Sequence, residues 1–599
     1  LAAKSPDFDL CCYRGFWSSA SENHIDTFIL YSDQLITMSW IRRIKRGNQI
    51  YLYEVTSVWE DGKVKQKLIQ YLGVEGDQEK VPKPKTKRVR PDRVHPLRSR
   101  DAGDVLLLWK VAETLNCVNI IDRYTTGFED IEGPSPGKYL VTWAINRLLD
   151  PESATQLEGW VQSTILPDLA GMEPLDFSKD AYLQSLDAIC SQSQKTRRIQ
   201  SHIPSIEAEL YQRWRTMHPL PDQNPETIAY DLTPIPTYGR ECPLIEPGSK
   251  TNETHLNQLN LSVITSYFDS YPIAHFVHPG SFHSITTIPD LLIRLKDLMI
   301  PQGTIVWDRG YTTRAEIGVV EREGWKLVCG VAKRTTEARD LLARTEPPID
   351  PDHLVPTQCM NIYAEKVDCP LFGRNGSVVV YVNTERRMRE TKSRNCAIYQ
   401  ISEELNELQR TCSSMHIEEV MSRVGKILPK SYAKYFDYTV HERPTGIELE
   451  WRANTDARVR AERRDGKYLL YATDPSLSAS DVVMRYFERD FVEKVFRDLK
   501  TFEEIAPIRH RKESRVRGIM FVCTLALRLK VAVRMMLAGI KDTQVSAEMF
   551  LKQLGRVHQV DFQMDNEVQV WYVGLQKKTD EVLEKIGMKE LFGERIRYT

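Results

Sequence analysis

The sequence predicts a multidomain α/β protein: a mixed sheet with helices packed on it, interrupted by a β-rich insertion and preceded by a small β region and a helical region. Three observations predict this. The 599 residues exceed what one hydrophobic core holds. From 226 the chain alternates short apolar runs with amphipathic segments, in the order strand, strand, strand, helix, strand. Between 332 and 475 the pattern turns polar, and the apolar alternation resumes after it.

Taken in order, residues 1–37 have weak periodicity and precede the first methionine, Met38, which reads as an over-extended reading frame or an unusual start. Residues 38–80 form a small β region: Gln49–Val58 alternates, Asp61-Gly62 marks a turn, and Val64–Leu72 follows. The stretch 81–100 holds four prolines and eight Lys or Arg against one Asp, a basic linker that serves as a tether or as a DNA-contacting arm. Residues 101–220 are helical, with apolar positions at 3–4 spacing in Val105–Leu115 and Lys138–Leu149. That region suits DNA-end binding or scaffolding, and no helix-turn-helix pattern decides between them.

The first half of the sheet-bearing core is expected over 221–331. Its strands are Glu226–Thr233, Leu261–Tyr267, Pro272–Val277, Gly303–Asp308 and Trp325–Val331, with helices at Ile288–Leu298 and 315–323. The insertion, 332–475, carries expected strands at 377–383, 396–401, 446–453 and 467–472 and a charged helix near 402–427. The second half, 476–540, holds a helix at 480–500 and an apolar helix at 515–537. A tail, 541–599, adds a helix at 545–554, a hairpin turning at Asp565-Asn566, and a helix at 576–587.

Composition excludes some classes. Eighty-one Lys plus Arg balance 82 Asp plus Glu, so global charge does not argue for a nucleic-acid partner and local charge must decide. The eleven cysteines form no C-x-x-C pair, which fits reduced thiols in the cytoplasm better than disulfides or a zinc site. The apolar stretch Ile519–Ile540 contains Arg528, Lys530 and Arg534, which suits a buried helix and argues against a membrane span.

The chemistry concentrates in three acidic residues and one helix. Asp231 follows Ile228-Ala229-Tyr230, and Asp308 follows Ile305-Val306-Trp307, so each stands at the end of an apolar strand. Tyr486, Arg489, Glu493 and Lys500, at offsets 0, 3, 7 and 14, fall within roughly 60° on one helix face. Three carboxylates brought together would make an all-oxygen site for Mg²⁺ or Mn²⁺, and two ions held about 4 Å apart suit phosphoryl transfer. Each residue also has a plain structural explanation. Asp231 and Asp308 precede turns, where Asp is common, and Glu493 suits an i,i+4 pair. Between Arg485 and Arg534 there are 13 Lys or Arg against 7 Asp or Glu; Arg509, Arg511, Arg515 and Arg517 cluster there with His510. This cluster reads as phosphate-contacting or as a solvated charged loop.

The spacing Tyr486-x2-Arg489-x3-Glu493-x6-Lys500 resembles the Y-R-E-K motif of the insertion-sequence-four superfamily of DDE transposases. Asp231 in YDLTPIPTYG and Asp308 in VWDRGY resemble that family's two aspartate motifs, in the family's order. The resemblance implies an RNase H-like core, with the insertion occupying the 184 residues between Asp308 and Glu493. It implies Asp231, Asp308 and Glu493 as catalytic metal ligands, and Tyr486, Arg489 and Lys500 as DNA contacts near the scissile phosphate. It further implies double-stranded DNA as partner (terminal inverted repeats and target), two Mg²⁺ or Mn²⁺ ions, a homodimer, and a prokaryotic cytoplasmic setting. A transposase-derived DNA-binding protein that no longer cleaves, or another RNase H-like nuclease, are the alternatives. The intact acidic triad favours the enzyme over the binder.

Overall fold

The computed structural model describes residues 39–598 apart from 48, 61–62, 76–93, 126–132, 194, 222–224, 238–240, 249–256, 358–360, 490–493, 495, 498–509, 541–544, 565–566 and 594–595. The leader 1–37, the two expected turns at Asp61-Gly62 and Asp565-Asn566, and most of the basic linker lie outside the described residues. The chain forms two compact units, Leu1–Val94 and His95–Thr599.

The first unit is a three-stranded antiparallel sheet of Ser39–Arg46, Gln49–Glu60 and Lys63–Val74. Three tyrosines cluster on it, with the Tyr71 ring 5.0 Å from that of Tyr53 and 6.1 Å from that of Tyr51.

The second unit is built on a mixed sheet. Its strands are β1 (Thr227–Thr237), β2 (Asn257–Ser266), β3 (Pro272–Pro279), β4 (Thr304–Trp307), β5 (Lys326–Val331), β6 (Ile362–Val367), β7 (Ser377–Asn383) and β8 (Lys467–Ala472). They lie in the order β3-β2-β1-β4-β5-β8-β7-β6, and Glu246–Pro247 adds a short pairing to β2. β1, β4 and β5 run parallel to one another; every other neighbouring pair is antiparallel. β1, β4 and β5 read as nearly continuous apolar runs because both of their faces are covered.

The segment 332–475 does not stand apart from this sheet. β6, β7 and β8 come from it and extend the sheet beyond β5. The rest of it forms a separate lobe around two small apolar clusters of its own, with a hairpin of Phe436–Arg443 and Gly446–Ala453. The strand expected at 396–401 is instead the middle of a 28-residue helix, Thr384–Thr411. Ile401, Leu405 and Leu408 recur there at helical spacing and are buried, and the Asn383 side chain caps the start by accepting from the Arg386 amide at 2.9 Å. Burial along one helix face outweighs the β-prone run CAIYQI.

The end of the expected linker is also structured. Val94–Asp101 is the edge strand of a four-stranded sheet completed by His558–Met564, Glu567–Leu575 and Ile596–Tyr598. Pro96 is tolerated there because an edge strand leaves one row of amides unpaired.

The helix Glu513–Ala538 is buried on nearly every side among Pro136–Leu149, Lys179–Ile189 and β3. Its Arg528 donates to Glu207 at 2.7 Å, and its Lys530 pairs with Glu548 at 2.6 Å. No described helix is long and apolar enough to cross a membrane.

Candidate active site

The site begins with strand register. β1 and β4 are parallel, with Trp307 opposite Tyr230. Asp231 is the next residue of β1 and Asp308 the first residue past β4, so two carboxylate-bearing positions emerge from neighbouring strands about 4.8 Å apart. Asp231 is still inside β1, where Val263 pairs with it; Asp308 has just left β4 and opens the turn Arg309–Tyr311. Two aspartates 77 positions apart in the numbering are thus fixed by backbone pairing, and no flexible loop sets their spacing.

The third contribution comes from the helix Ala479–Phe487, capped by Ser478 and Asp481 in a reciprocal pair of hydrogen bonds. It packs on β5, β7 and β8 and delivers Tyr486, whose hydroxyl donates to Asp308 Oδ1 at 2.6 Å. Gly330 on β5 makes room for this. A Cβ at that position would stand 2.7 Å from the Tyr486 hydroxyl. Sequence reasoning passed over Gly330; the available signal was a glycine within an apolar strand, which marks a close approach.

Arg489 completes the described part. Its Nη1 lies 3.8 Å from Asp231 Oδ2, and its Nη2 lies 3.8 Å from Asp308 Oδ1. The guanidinium carbon sits 5.1 Å from the Tyr486 ring centroid. Burial alone would raise the Asp308 carboxyl; the Arg489 charge, the Tyr486 hydroxyl and the Arg309 amide outweigh it and hold Asp308 below its usual range. Burial and the adjacent Asp308 charge push the Tyr486 phenol far above its ordinary value. The carboxylate therefore stays ionised and the phenol stays a donor at neutral pH.

The structure brings Asp231, Asp308, Tyr486 and Arg489 together. Glu493, Lys500 and Arg509 lie outside the described residues. The helix bearing Tyr486 ends at Phe487 and Glu488–Arg489 form a turn, and most of the expected helical face on to Lys500 lies outside the described residues. That turn lets Arg489 reach both carboxylates while Tyr486 reaches one.

The basic cluster splits. Arg511 is exposed and lies 3.0 Å from Glu241. Arg515 and Arg517, expected as phosphate contacts, are engaged with groups of the protein itself. Arg515 makes a two-pronged pair with Asp187 (3.0 and 2.6 Å), and Arg517 pairs with Glu513 at 2.7 Å and donates to the Val277 carbonyl. His510 is largely covered, edge-on to Trp143 at 6.3 Å, and burial lowers it to about 4. These three side chains hold the long buried helix against its neighbours.

The donor chemistry fits a hard divalent cation. Two carboxylates from adjacent strands supply only oxygen, and their combined charge already attracts a guanidinium to the space they share. Among the described residues no three His, Cys, Asp or Glu side chains converge.

The transposase DDE domain family matches residues 222–529, just over half of the chain and a span that includes both aspartates and Tyr486 and Arg489. No curated protein matches by sequence. Among solved structures, a cryo-EM structure of the piggyBac transposase synaptic complex with hairpin DNA is similar at 11% identity, with a TM-score of 0.37, over 76% of this chain and 80% of that one.

Proposed function

We propose a mechanism for a chain that belongs to the transposase DDE domain family: it binds the inverted-repeat ends of a mobile element, cuts them, and joins the cut ends to target DNA. The observation that carries this reading is the in-register pair Asp231 and Asp308, held beside Tyr486 and Arg489. The strand order β3-β2-β1-β4-β5 supports an RNase H-like core, with the lobe inserted before the helix that bears Tyr486.

In this reading Asp231, Asp308 and Glu493 hold two Mg²⁺ or Mn²⁺ ions. Bound there, such ions supply activation of a water or a 3′-hydroxyl and stabilisation of the departing oxygen. The protein's own groups do the rest. The register of β1 and β4 sets the carboxylate spacing. Tyr486 fixes the rotamer of Asp308 by its hydrogen bond. Arg489 offers a buried positive charge to the phosphate undergoing substitution. Lys500, Arg509 and Arg511 contact the duplex backbone, and two copies hold two ends together.

The test uses the purified full chain, Mg²⁺, and DNA spanning both ends of the genomic segment that carries its gene. Cuts that leave 3′-hydroxyls at inverted repeats are expected, and Asp308→Asn is expected to lose them by about a hundred- to a thousandfold, the scale on which electrostatic stabilisers act. Equal cutting by Asp308→Asn would remove the site assignment.

A further inference from the structure

Beyond the motif residues, a second group of cations crowds the same end of the sheet. Lys333 lies two residues past β5, and its ammonium sits 4.1 Å over the Tyr468 ring. Arg386, in the first turn of the helix Thr384–Thr411, approaches the same ring at 5.6 Å. Arg309, next to Asp308, acts electrostatically on both Lys333 and Tyr468. Two positive charges therefore sit over one tyrosine, and a third, on the residue after Asp308, acts on Lys333 and that ring from nearby. Glu390 pairs with Arg386 at 3.2 Å. Among the described residues no carboxylate lies within ion-pair distance of Lys333 or Arg309. Burial pulls Lys333 below its ordinary value; Glu390 opposes this, and Arg386 and Arg309 add to it. The Tyr468 hydroxyl is buried without a hydrogen-bond partner among the described residues. Repelling cations and an idle donor are costly unless an anion joins them.

The placement relative to the two aspartates is specific. Across the sheet the order is β1 with Asp231, β4 with Asp308, β5 leading to Lys333, then β8 with Tyr468. Two strand spacings, about 10 Å, separate β4 from β8. A DNA strand covers that distance in roughly three nucleotides. Tyr381 on β7 stacks on Tyr468 at 5.1 Å and feels the charges of both Asp308 and Arg386, so the two clusters are continuous.

We propose that Lys333, Arg309 and Arg386, gathered at Tyr468, form a seat for a backbone phosphodiester of the DNA strand that passes Asp308, on the side of the site away from Asp231. This deepens the nuclease reading given above and rests on it. The seat fixes where the strand lies a few nucleotides from the scissile bond, and it makes the lobe that carries Arg386 part of substrate binding.

The experiment measures binding of the full chain to a 30-base-pair duplex (about three helical turns) in EDTA, by fluorescence anisotropy over a range of KCl concentrations. Lys333→Met keeps the aliphatic stem over Tyr468 and removes the charge; Arg309→Gln alters an exposed side chain. Each is expected to reduce the magnitude of the log–log salt slope by about 0.9 with an unchanged melting temperature. Lys333→Arg is expected to retain the parent slope. A reduced slope in either neutral variant with its fold intact supports the seat, and parent slopes in both overturn it. Because EDTA prevents cleavage, this outcome is independent of the Asp308→Asn result. A failed cleavage assay with altered slopes would sink the nuclease reading alone, and the reverse would sink the seat alone.

Discussion

Two arginine–carboxylate clusters in this molecule use the same residue types for opposite purposes. At Glu207 the carboxylate is fully enclosed. It accepts from His275 Nδ1 at 2.8 Å, Arg528 Nη2 at 2.7 Å and Arg294 Nη2 at 2.8 Å, tying the helix Ile203–Met217 to β3, the helix Ile288–Asp297 and the long buried helix. At the candidate site one guanidinium stands 3.8 Å from each of two carboxylates whose side chains are 21% and 36% exposed. The first cluster is closed, with short hydrogen bonds and almost no exposed side-chain surface. The second is partly exposed, with a cation nearby at longer range. Closure marks a group that holds elements together; incomplete closure at a strand end marks a group able to take a ligand.

Breaking the closed cluster should have the largest effect on folding. Glu207→Ala strands two buried guanidinium groups and is expected to cost about 3–5 kcal/mol, seen as a large drop in melting temperature or loss of soluble protein. Asp308→Asn keeps an oxygen acceptor for the Tyr486 hydroxyl while weakening the pairing with Arg489, and is expected to cost less, about 1–2 kcal/mol. Equal destabilisation by the two substitutions would erase the contrast.

A second expectation concerns pH. His278 is buried, hydrogen-bonded to Ser262 Oγ at 2.9 Å, and depressed to about 4, first by burial and then by Arg517. Its folded value lies below the unfolded 6.5, so its stabilisation is complete above pH 6.5 and is lost as pH falls toward 4. Urea midpoints should decline over that window, and His278→Gln should show a shallower decline attributable to this residue. Burial alone would raise Glu207, but the His275 hydrogen bond and the Arg528 and Arg294 guanidinium groups outweigh it and hold it low, so its stabilisation fails only at more acidic pH. The His278 and Glu207 contributions can therefore be separated along one pH axis.

The smallest expected effect belongs to Tyr486→Phe. It keeps the ring beside Gly330 and removes only the hydrogen bond to Asp308, worth about 1 kcal/mol. Cleavage should slow by roughly fivefold, since about 1.4 kcal/mol corresponds to tenfold, with a fall in melting temperature of no more than about 2–4 °C. A stability loss without a rate change would make Tyr486 a packing residue.

The sheet was legible because its strands are apolar runs whose ends are marked by charge: Ile228-Ala229-Tyr230 before Asp231, and Ile305-Val306-Trp307 before Asp308. Their adjacency was not legible, since parallel register depends on pairing between segments far apart in the chain. Residues 396–401 misled because a short β-prone run carries little information against 28 residues of helix packing on one face. Counting charges from 485 to 534 could not reveal that Arg515 meets Asp187, which lies 328 positions away. The Glu207 cluster left no signal for the same reason, because its four members come from four separate segments. Lys333 and Tyr468 were missed because only the sheet order places them near Asp308.

The most direct measurement compares the parent with Glu493→Gln on DNA that carries the element's ends, reading binding and Mg²⁺-dependent cutting in the same tubes. Loss of cutting with retained binding is expected if Glu493 joins Asp231 and Asp308 around the ions. Cutting at the parent's rate by Glu493→Gln would contradict that shared role.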